Sequence, residues 1–277
     1  MHHPDDRDIL VRQVRTRQLA ALASMVVITL ATASFVRLPG RTVFLRALGS
    51  EVSYEFSGAA QYTLLLTGIV CSGLVFVLRA GRRARSRTLV EAASFWGLPL
   101  QLVLTALLLL DSLSWWGFQI GLAVLTGVVL AIVVALQARS AEEDVGRARL
   151  ILNAITYALA LLVFTAIYGM RLRSMLSATA LSVSATLLAA ELFRDIDTPI
   201  DQVWGWSALV GLLIGETTWA LNYTRLSPRA GAVLLLAAFY ALSGIIQQHL
   251  WQRLDRRSVA EFVVALLAGA VLAIVLA

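Results

Sequence analysis

The chain has 277 residues, of which 59% are hydrophobic and 14% charged, and its formal net charge is +6. A soluble domain of ordinary composition has about 45–50% apolar and 25% charged residues, so this composition excludes a soluble globular fold. All 23 basic side chains are arginines, and the absence of lysine excludes a retinal or pyridoxal Schiff base and a lysine-containing phosphate-binding loop.

Cysteine and histidine are also scarce in this chain. Cys71 is the single cysteine, which excludes an intrachain disulfide and a CxxC redox pair. His2 and His3 belong to the N-terminal tail, and His249 lies alone at the end of a predicted span. Neither a haem held by two histidines nor a histidine-rich zinc site is expected from this set. We therefore expect no metal and no cofactor.

Apolar stretches of about 20 residues, the length that crosses a bilayer, recur along almost the whole chain. A charged, amphipathic tail at residues 1–17 precedes the first stretch, and no cleavable signal peptide is predicted there. We predict an all-α polytopic membrane protein, with a single integral membrane domain over residues 1–277 and about nine transmembrane helices in one bundle. The predicted spans lie near residues 18–36, 58–78, 89–110, 115–136, 150–170, 174–193, 204–222, 230–249 and 259–277.

Arginines in the short loops set the predicted orientation, because they are retained preferentially on the cytoplasmic side. With the N-terminus inside, the tail and inner loops carry sixteen arginines and the outer loops seven. We predict a cytoplasmic N-terminus and an extracytoplasmic C-terminus. If two of the predicted spans are really one element, so that eight cross, the C-terminus moves inside. We expect anionic lipid headgroups, and no nucleic acid, at the arginines of the second inner loop. These are Arg82, Arg83, Arg85 and Arg87.

The outer loop at residues 37–57 contains two extended-looking runs on either side of Gly49-Ser50. In the second run the apolar Val52, Tyr54 and Phe56 alternate with polar residues, which is typical of a strand. We predict a small extracytoplasmic β-hairpin near residues 42–56. An amphipathic interfacial helix is the competing interpretation.

Four carboxylates lie within or at the edges of predicted spans, where charge is costly. Glu91, Glu191 and Glu261 each have an arginine three or four residues away on the same helical face, which favours interfacial ion pairs. Glu216 has no arginine within four residues and falls near the middle of its predicted span. We expect it to be buried, and either protonated or paired with a group from another helix.

Glu216 leads the candidate intramembrane polar site. The GxxxG spacing of Gly211 and Gly215 permits close approach of another helix, and donors follow Glu216 over the next two turns. A partner on a third span, which we expect to be bent by Pro99, completes the candidate. The predicted site consists of Glu216, Thr217, Asn222, Tyr223 and Gln101. The alternative is that Glu216 is a neutral hydrogen-bonding group that fixes helix packing.

A cytoplasmic loop after the sixth span contains Asp195, Asp197 and Asp201, and three acids of this kind can hold Mg²⁺ and a diphosphate. Nine spans with an acidic motif at this place resemble the intramembrane prenyltransferase superfamily. That family also needs an acidic motif after its second helix, where this chain reads Arg79-Ala-Gly-Arg-Arg-Ala-Arg-Ser-Arg. We favour a solvated loop that caps the next helix at Asp197 or Thr198, and a degenerate prenyltransferase-like protein is the least favoured function.

Within about the last third of the chain, the stretches Glu191–Pro199, Gly215–Tyr223 and Phe239–Gly244 resemble an uncharacterised family of multi-pass bacterial membrane proteins, a domain of unknown function. The resemblance implies a bacterial plasma (inner) membrane. It implies no activity.

Two functions from different classes remain. The preferred one is a non-catalytic membrane subunit or scaffold, with another membrane protein as a candidate partner, because the chain lacks strong catalytic signatures. The alternative is a transporter or lipid-handling protein whose cavity is lined by Glu216, Asn222, Tyr223 and Gln101.

Overall fold

The computed structural model describes residues 4–47, 50–79, 94–110, 112–140, 145–170, 174–194, 199–224, 226–253 and 255–276. Within these residues there are nine helices and two strands. The helices are α1 (Pro4–Phe35), α2 (Gly58–Arg79), α3 (Gly97–Leu110), α4 (Trp116–Ser140), α5 (Val145–Gly169), α6 (Ser174–Phe193), α7 (Ile200–Leu221), α8 (Pro228–Leu250) and α9 (Arg256–Leu276). The strands are β1 (Arg41–Ala47) and β2 (Ser50–Phe56).

The described helices follow the predicted spans in order, with two differences at their starts. Helix α1 is one helix of 32 residues that begins at Pro4, so the predicted tail continues into the first span. Helix α3 begins at Gly97, which places Pro99 in its first turn. A proline is tolerated there because the first N–H groups have no partner within the helix. Because residues 80–93 lie outside the described residues, the predicted bend of the span at Pro99 stays a prediction.

Seven of the described helices are long and apolar enough to cross a membrane, namely α1, α2, α4, α5, α6, α8 and α9. Helix α3 is apolar and has 14 residues. Helix α7 has 22 residues but includes the acidic Asp201 and Glu216, and it is not among the seven. The prediction of a helical membrane protein is confirmed, and crossings by α3 and α7 stay predictions.

Strands β1 and β2 lie between α1 and α2 and pair antiparallel. The register places Arg41 opposite Phe56 and Ala47 opposite Ser50. At the start of α2, the Gln61 side-chain amide donates a hydrogen bond to the Pro39 carbonyl oxygen at 3.0 Å. This bond ties α2 to the chain that leads from α1 into β1. The side of the membrane on which the strand pair lies stays a prediction.

The described residues form two compact units. The first comprises those up to residue 79 together with those of 102–138, and the second comprises 94–101 and those from residue 139 onward. The single domain over residues 1–277 stays a prediction.

In the first unit, α1 packs against α2, and α4 contacts α1. Residues spaced by four form the buried ridge of each of the first two helices, as in ridge-into-groove packing. A Cβ added to Gly127 of α4 would collide with Val27 of α1, so the glycine allows this close approach. The buried ridge residues are Leu22, Val26 and Leu30 on α1 and Leu66, Val70 and Leu74 on α2.

Among the candidate membrane spans of the second unit, α6 is the most enclosed, since 56% of the residues in its apolar stretch are buried. In α9 only 6% are buried. It packs against α5, α7 and α8. Two of its hydroxyl groups are satisfied locally, since Thr179 and Thr186 donate to carbonyl oxygens one turn earlier at 2.8 and 2.9 Å. This Ser/Thr-rich helix is thus enclosed largely by other helices of the second unit.

Candidate functional site

Helix α7 carries Glu216 and begins directly after Pro199. Pro199 itself occupies the N-cap position, so the predicted cap at Asp197 or Thr198 is wrong. A proline can start the helix because its φ is already fixed near the helical value and its missing N–H is not needed there. Asp201 lies in the first turn, where the helix dipole stabilises a carboxylate.

Gly211 and Gly215 place one face of α7 directly on α6. A Cβ added to Gly215 would lie 3.0 Å from the Ser182 Cβ and 3.3 Å from the Ala178 carbonyl oxygen. A Cβ added to Gly211 would lie 2.5 Å from the Ser182 carbonyl oxygen and would collide with Thr186 Oγ1. The close approach predicted from the GxxxG spacing is confirmed. The buried residues of α7 are Val203, Ser207, Val210, Gly211, Ile214, Gly215, Thr218 and Leu221.

Glu216 lies on the other side of α7, and its side chain is exposed. No hydrogen bond or ion pair joins its carboxylate to another residue that the structure describes. The prediction that Glu216 is buried between helices is therefore wrong. The physical reason is the helical rotation of about 100° per residue, which turns Glu216 away from α6 once Gly211 and Gly215 face that helix.

The C-terminal end of α7 is tied to two neighbouring helices. The Tyr168 hydroxyl of α5 donates to the Leu221 carbonyl oxygen at 3.1 Å. The Asn222 side-chain amide donates to the Ser177 hydroxyl oxygen of α6 at 2.9 Å. Thr217 donates back to a carbonyl oxygen of its own helix at 2.7 Å. Of the predicted site residues, Asn222 is thus held in a contact between helices, and Thr217 is bonded within its own helix.

The two remaining members of the predicted site lie in different environments. Gln101 is buried in α3, with 4% of its surface exposed. Tyr223 is 75% exposed just beyond α7, and its ring packs edge-on against Trp219 with 6.2 Å between centroids. The structure therefore does not enclose these residues around Glu216.

The acidic loop is described only in part. Asp195 and Asp197 lie outside the described residues, and Asp201 is exposed. No group of three His, Cys, Asp or Glu side chains in the described part of the chain is arranged to hold a metal ion. Six further residues that bear on the predictions also lie outside the described residues, namely Arg82, Arg83, Arg85, Arg87, Glu91 and Thr198.

A buried ion pair lies at the C-terminal end of α6. Arg194 binds Glu191 through two hydrogen bonds, with Nη2–Oε1 at 2.7 Å and Nη1–Oε2 at 2.9 Å. Their side chains are 13% and 2% exposed. The guanidinium carbon lies 3.8 Å from the centroid of the Phe95 ring. Two-point hydrogen bonding and ring stacking offset the desolvation that burial of this pair costs. The predicted pairing is confirmed, and its burial was not predicted.

Two other helices donate hydrogen bonds to the same end of α6. Arg149 of α5 donates from Nη2 to the Arg194 carbonyl oxygen, and Gln247 of α8 donates to the Leu192 carbonyl oxygen at 3.2 Å. The last carbonyl groups of an α-helix have no partner within the helix, so these bonds act as a cap supplied from outside. Sequence reasoning missed this cap, and its only signal is that both donors lie at predicted cytoplasmic helix ends.

A hydroxyl pair joins α5 to α8. The Tyr157 and Ser243 hydroxyl oxygens are 3.2 Å apart, and Ser243 donates to the Phe239 carbonyl oxygen at 2.6 Å. The Tyr157 hydroxyl is then the donor to Ser243. The Tyr157 ring contacts Phe239 and Tyr240 edge-on, with centroids 5.9 and 5.4 Å apart. Ser243 is thus engaged in helix packing.

A second predicted ion pair is exposed: Arg257 Nε lies 3.6 Å from Glu261 Oε1, and the side chains are 88% and 70% exposed. This confirms the pairing at the start of α9. His249 is also exposed, and its ring lies edge-on to Trp206 with 5.5 Å between centroids.

Comparisons with known proteins give a family without an assigned activity. No curated protein and no solved structure matches the chain. One family model, described as a protein of unknown function (DUF5656), matches residues 38–277. The predicted membership of an uncharacterised family is confirmed, and the likeness extends well beyond the last third of the chain. The chain belongs to the DUF5656 family of proteins of unknown function.

Proposed function

We propose that this protein is a non-catalytic subunit or scaffold of a bacterial plasma membrane. The observation that carries the proposal is the use of buried and half-buried polar side chains in the second unit. Tyr157, Arg149 and Gln247 each bond a neighbouring helix, and Glu191 is fully engaged by Arg194. A catalytic or transport site needs polar groups that converge on a ligand, whereas these groups hold helices together.

The transport or lipid-handling alternative requires its four predicted residues to line a common cavity. Glu216 and Tyr223 are exposed, and Gln101 is buried. Asn222 is bonded to Ser177. These four positions give the alternative no support. Of the acidic loop only Asp201 is described, and it is exposed, so the described residues do not support the prenyltransferase-like alternative.

The proposal includes a topology of nine crossings, with the N-terminus in the cytoplasm, the C-terminus outside and the β1–β2 pair on the outer surface. Its support is the asymmetry of the arginines, with sixteen on one side and seven on the other. Helix α7 has 22 residues and is about 33 Å long at 1.5 Å per residue, which suffices to cross. Alkaline phosphatase fused after Ala277 is expected to be active, and an inactive fusion contradicts the topology.

Cysteine accessibility tests the closed bundle that a scaffold requires. In a Cys71→Ala background, Ser177, Ser207 and Ser243 are each replaced by cysteine, a change of nearly the same size. All three serines are buried in the structure. Ser114, which is exposed in the loop before α4, is the matched control. Vesicles of both orientations are treated with a membrane-impermeant maleimide.

We expect the cysteine at position 114 to react and the three buried cysteines to react only after denaturation in SDS. Reaction at any buried position in native vesicles would show a water-filled path between the helices. That result would contradict the scaffold proposal and favour transport.

A further inference from the structure

The exposed side of α7 carries a regular repeat. Four exposed residues of α7 follow one another at alternating intervals of three and four residues, and the exposed Tyr223, two residues beyond the end of α7, continues the spacing. The four are Leu209, Leu212, Glu216 and Trp219. This spacing is that of the a and d positions of a heptad, the seam along which helices pack with a left-handed crossing in water and in membranes alike. We call these five residues the outer seam of α7.

The outer seam differs from an ordinary lipid-facing surface. On α9 the exposed Val264, Leu267, Val271 and Val275 present apolar side chains throughout. The outer seam has a carboxylate at its central a position instead, and a charge that faces hydrocarbon is costly.

Glu216 is poorly placed to reach water. It lies five residues before Leu221, the last residue of α7, or about 8 Å along the helix axis. Helical side chains lean toward the N-terminus, so Glu216 leans away from the nearer end of α7 and toward the middle of the helix. Within the described part of the chain its carboxylate has no partner.

We propose that the outer seam docks a transmembrane helix of a different membrane protein, and that this helix places an arginine, lysine or histidine opposite Glu216. The proposal rests on the proposed function and specifies the partner of the subunit. Charge complementarity selects this occupant, because an opposite charge removes the cost of the carboxylate.

A second copy of this chain fits the outer seam less well. Two copies in one membrane share an orientation, so a two-fold axis would pair the α7 helices in parallel. The a positions of parallel helices face each other, which would bring Glu216 against its own equivalent. Like charges in direct contact oppose association.

Two further features of α7 fit a docking helix. Gly205 lies one heptad before Leu212, and nothing lies within 4 Å of a Cβ added there. A small residue on an open face lets another backbone approach closely. On the buried face, Gly211 and Gly215 fix α7 against α6, so the outer seam is presented by a helix held in one position.

Photo-cross-linking in the native membrane tests the docking. In one variant of the full chain, p-benzoylphenylalanine replaces Leu212. In a matched control variant it replaces Leu267, which lies on the exposed face of α9. We expect a protein adduct from position 212 that exceeds any from position 267. The cross-linked peptide is expected to map to a transmembrane segment of another protein that contains Arg, Lys or His.

The dependence of the adduct yield on the charge at position 216 provides the second criterion for the docking proposal. Glu216→Gln keeps the size of the side chain and removes the charge, and we expect it to lower the adduct yield about tenfold or more, a change in association of about 1.4 kcal/mol. Since Glu216 is exposed, the purified variant should melt at the same temperature as the parent. Glu216→Arg should abolish the adduct, and a reciprocal acidic substitution in the partner should restore it.

Four outcomes overturn the proposal. These are an adduct between two copies of the chain, an adduct confined to the chain itself, only lipid adducts at position 212, and a protein adduct that Glu216→Gln leaves unchanged. The cysteine accessibility experiment tests the scaffold proposal independently of the cross-linking experiment. If the buried cysteines do not react and position 212 gives no adduct with a partner, the docking proposal is refuted and the scaffold proposal is retained.

Discussion

Gly211 lies on the buried face of α7 and Gly205 is exposed, so replacing each by alanine separates the effect of helix packing from that of helix propensity. At Gly211 the new Cβ would lie 2.5 Å from the Ser182 carbonyl oxygen and would collide with Thr186 Oγ1. At Gly205 nothing lies within 4 Å of the new Cβ. We therefore expect Gly211→Ala to destabilise the purified protein and Gly205→Ala to leave it unchanged or slightly more stable.

The size of the effect follows from two opposing contributions at these positions. Alanine is more favourable than glycine in a helix interior by about 1 kcal/mol, and both variants gain this contribution. Overpacking costs about 1–3 kcal/mol, and the upper end applies to Gly211 because a backbone carbonyl cannot rotate away. Gly211→Ala should thus lower the free energy of unfolding by about 1–2 kcal/mol, and by about 2–3 kcal/mol relative to Gly205→Ala.

Circular dichroism of the detergent-solubilised variants during heating measures the difference. For chains of 150–250 residues, 1 kcal/mol shifts Tm by about 2–4 °C, so the two variants should melt at least about 4 °C apart. Equal melting temperatures for the two variants, or a higher one for Gly211→Ala, would refute the close contact between α6 and α7.

Two further predictions concern buried polar contacts and use the same melting experiment. Glu191→Gln leaves Arg194 without its counter-charge in a buried pair and should lower the free energy of unfolding by about 3 kcal/mol. Glu261→Gln in an exposed pair should lower it by less than about 1 kcal/mol. Similar losses for the two variants would contradict the burial of Glu191. In a double-mutant cycle, Asn222→Ala and Ser177→Ala should couple by about 0.6 kcal/mol, within the range of hydrogen bonds between membrane helices, and strict additivity would mean that the bond is absent.

The order of the helices and their local pairings could be predicted from the sequence. Bilayer thickness fixes the length of an apolar span, and the charged residues between α8 and α9 mark the break there. The contacts of Arg194 with Glu191 and of Arg257 with Glu261 follow from the geometry of a single helix. The glycine spacing on α7 likewise predicts the face that another helix covers.

The direction in which Glu216 points was predicted wrongly because the cost of a charge in lipid was considered without the helical rotation that the two glycines fix. The cost of a charge in lipid favours a buried carboxylate, but Gly211 and Gly215 already occupy the covered face of α7. A rotation of about 100° per residue then turns position 216 away from that face. Combining the two rules gives the observed orientation.

The cap on α6 could not be predicted from local spacing. Arg149 and Arg194 are 45 residues apart, and Gln247 and Leu192 are 55 residues apart. These contacts depend on how α5 and α8 pack against α6, which no local periodicity encodes. The burial of Glu191 has the same origin.

The central claim is that the outer side of α7 faces lipid or another protein and does not line a water-filled path. A nitroxide attached at Leu212→Cys in a Cys71→Ala background, in the purified protein reconstituted into liposomes, tests this claim most directly. Paramagnetic relaxation compares collisions with oxygen, which concentrates in lipid, and with a water-soluble nickel chelate. We predict that oxygen dominates at position 212 and the chelate at the exposed loop position 114. Dominance of the chelate at position 212 would contradict the account.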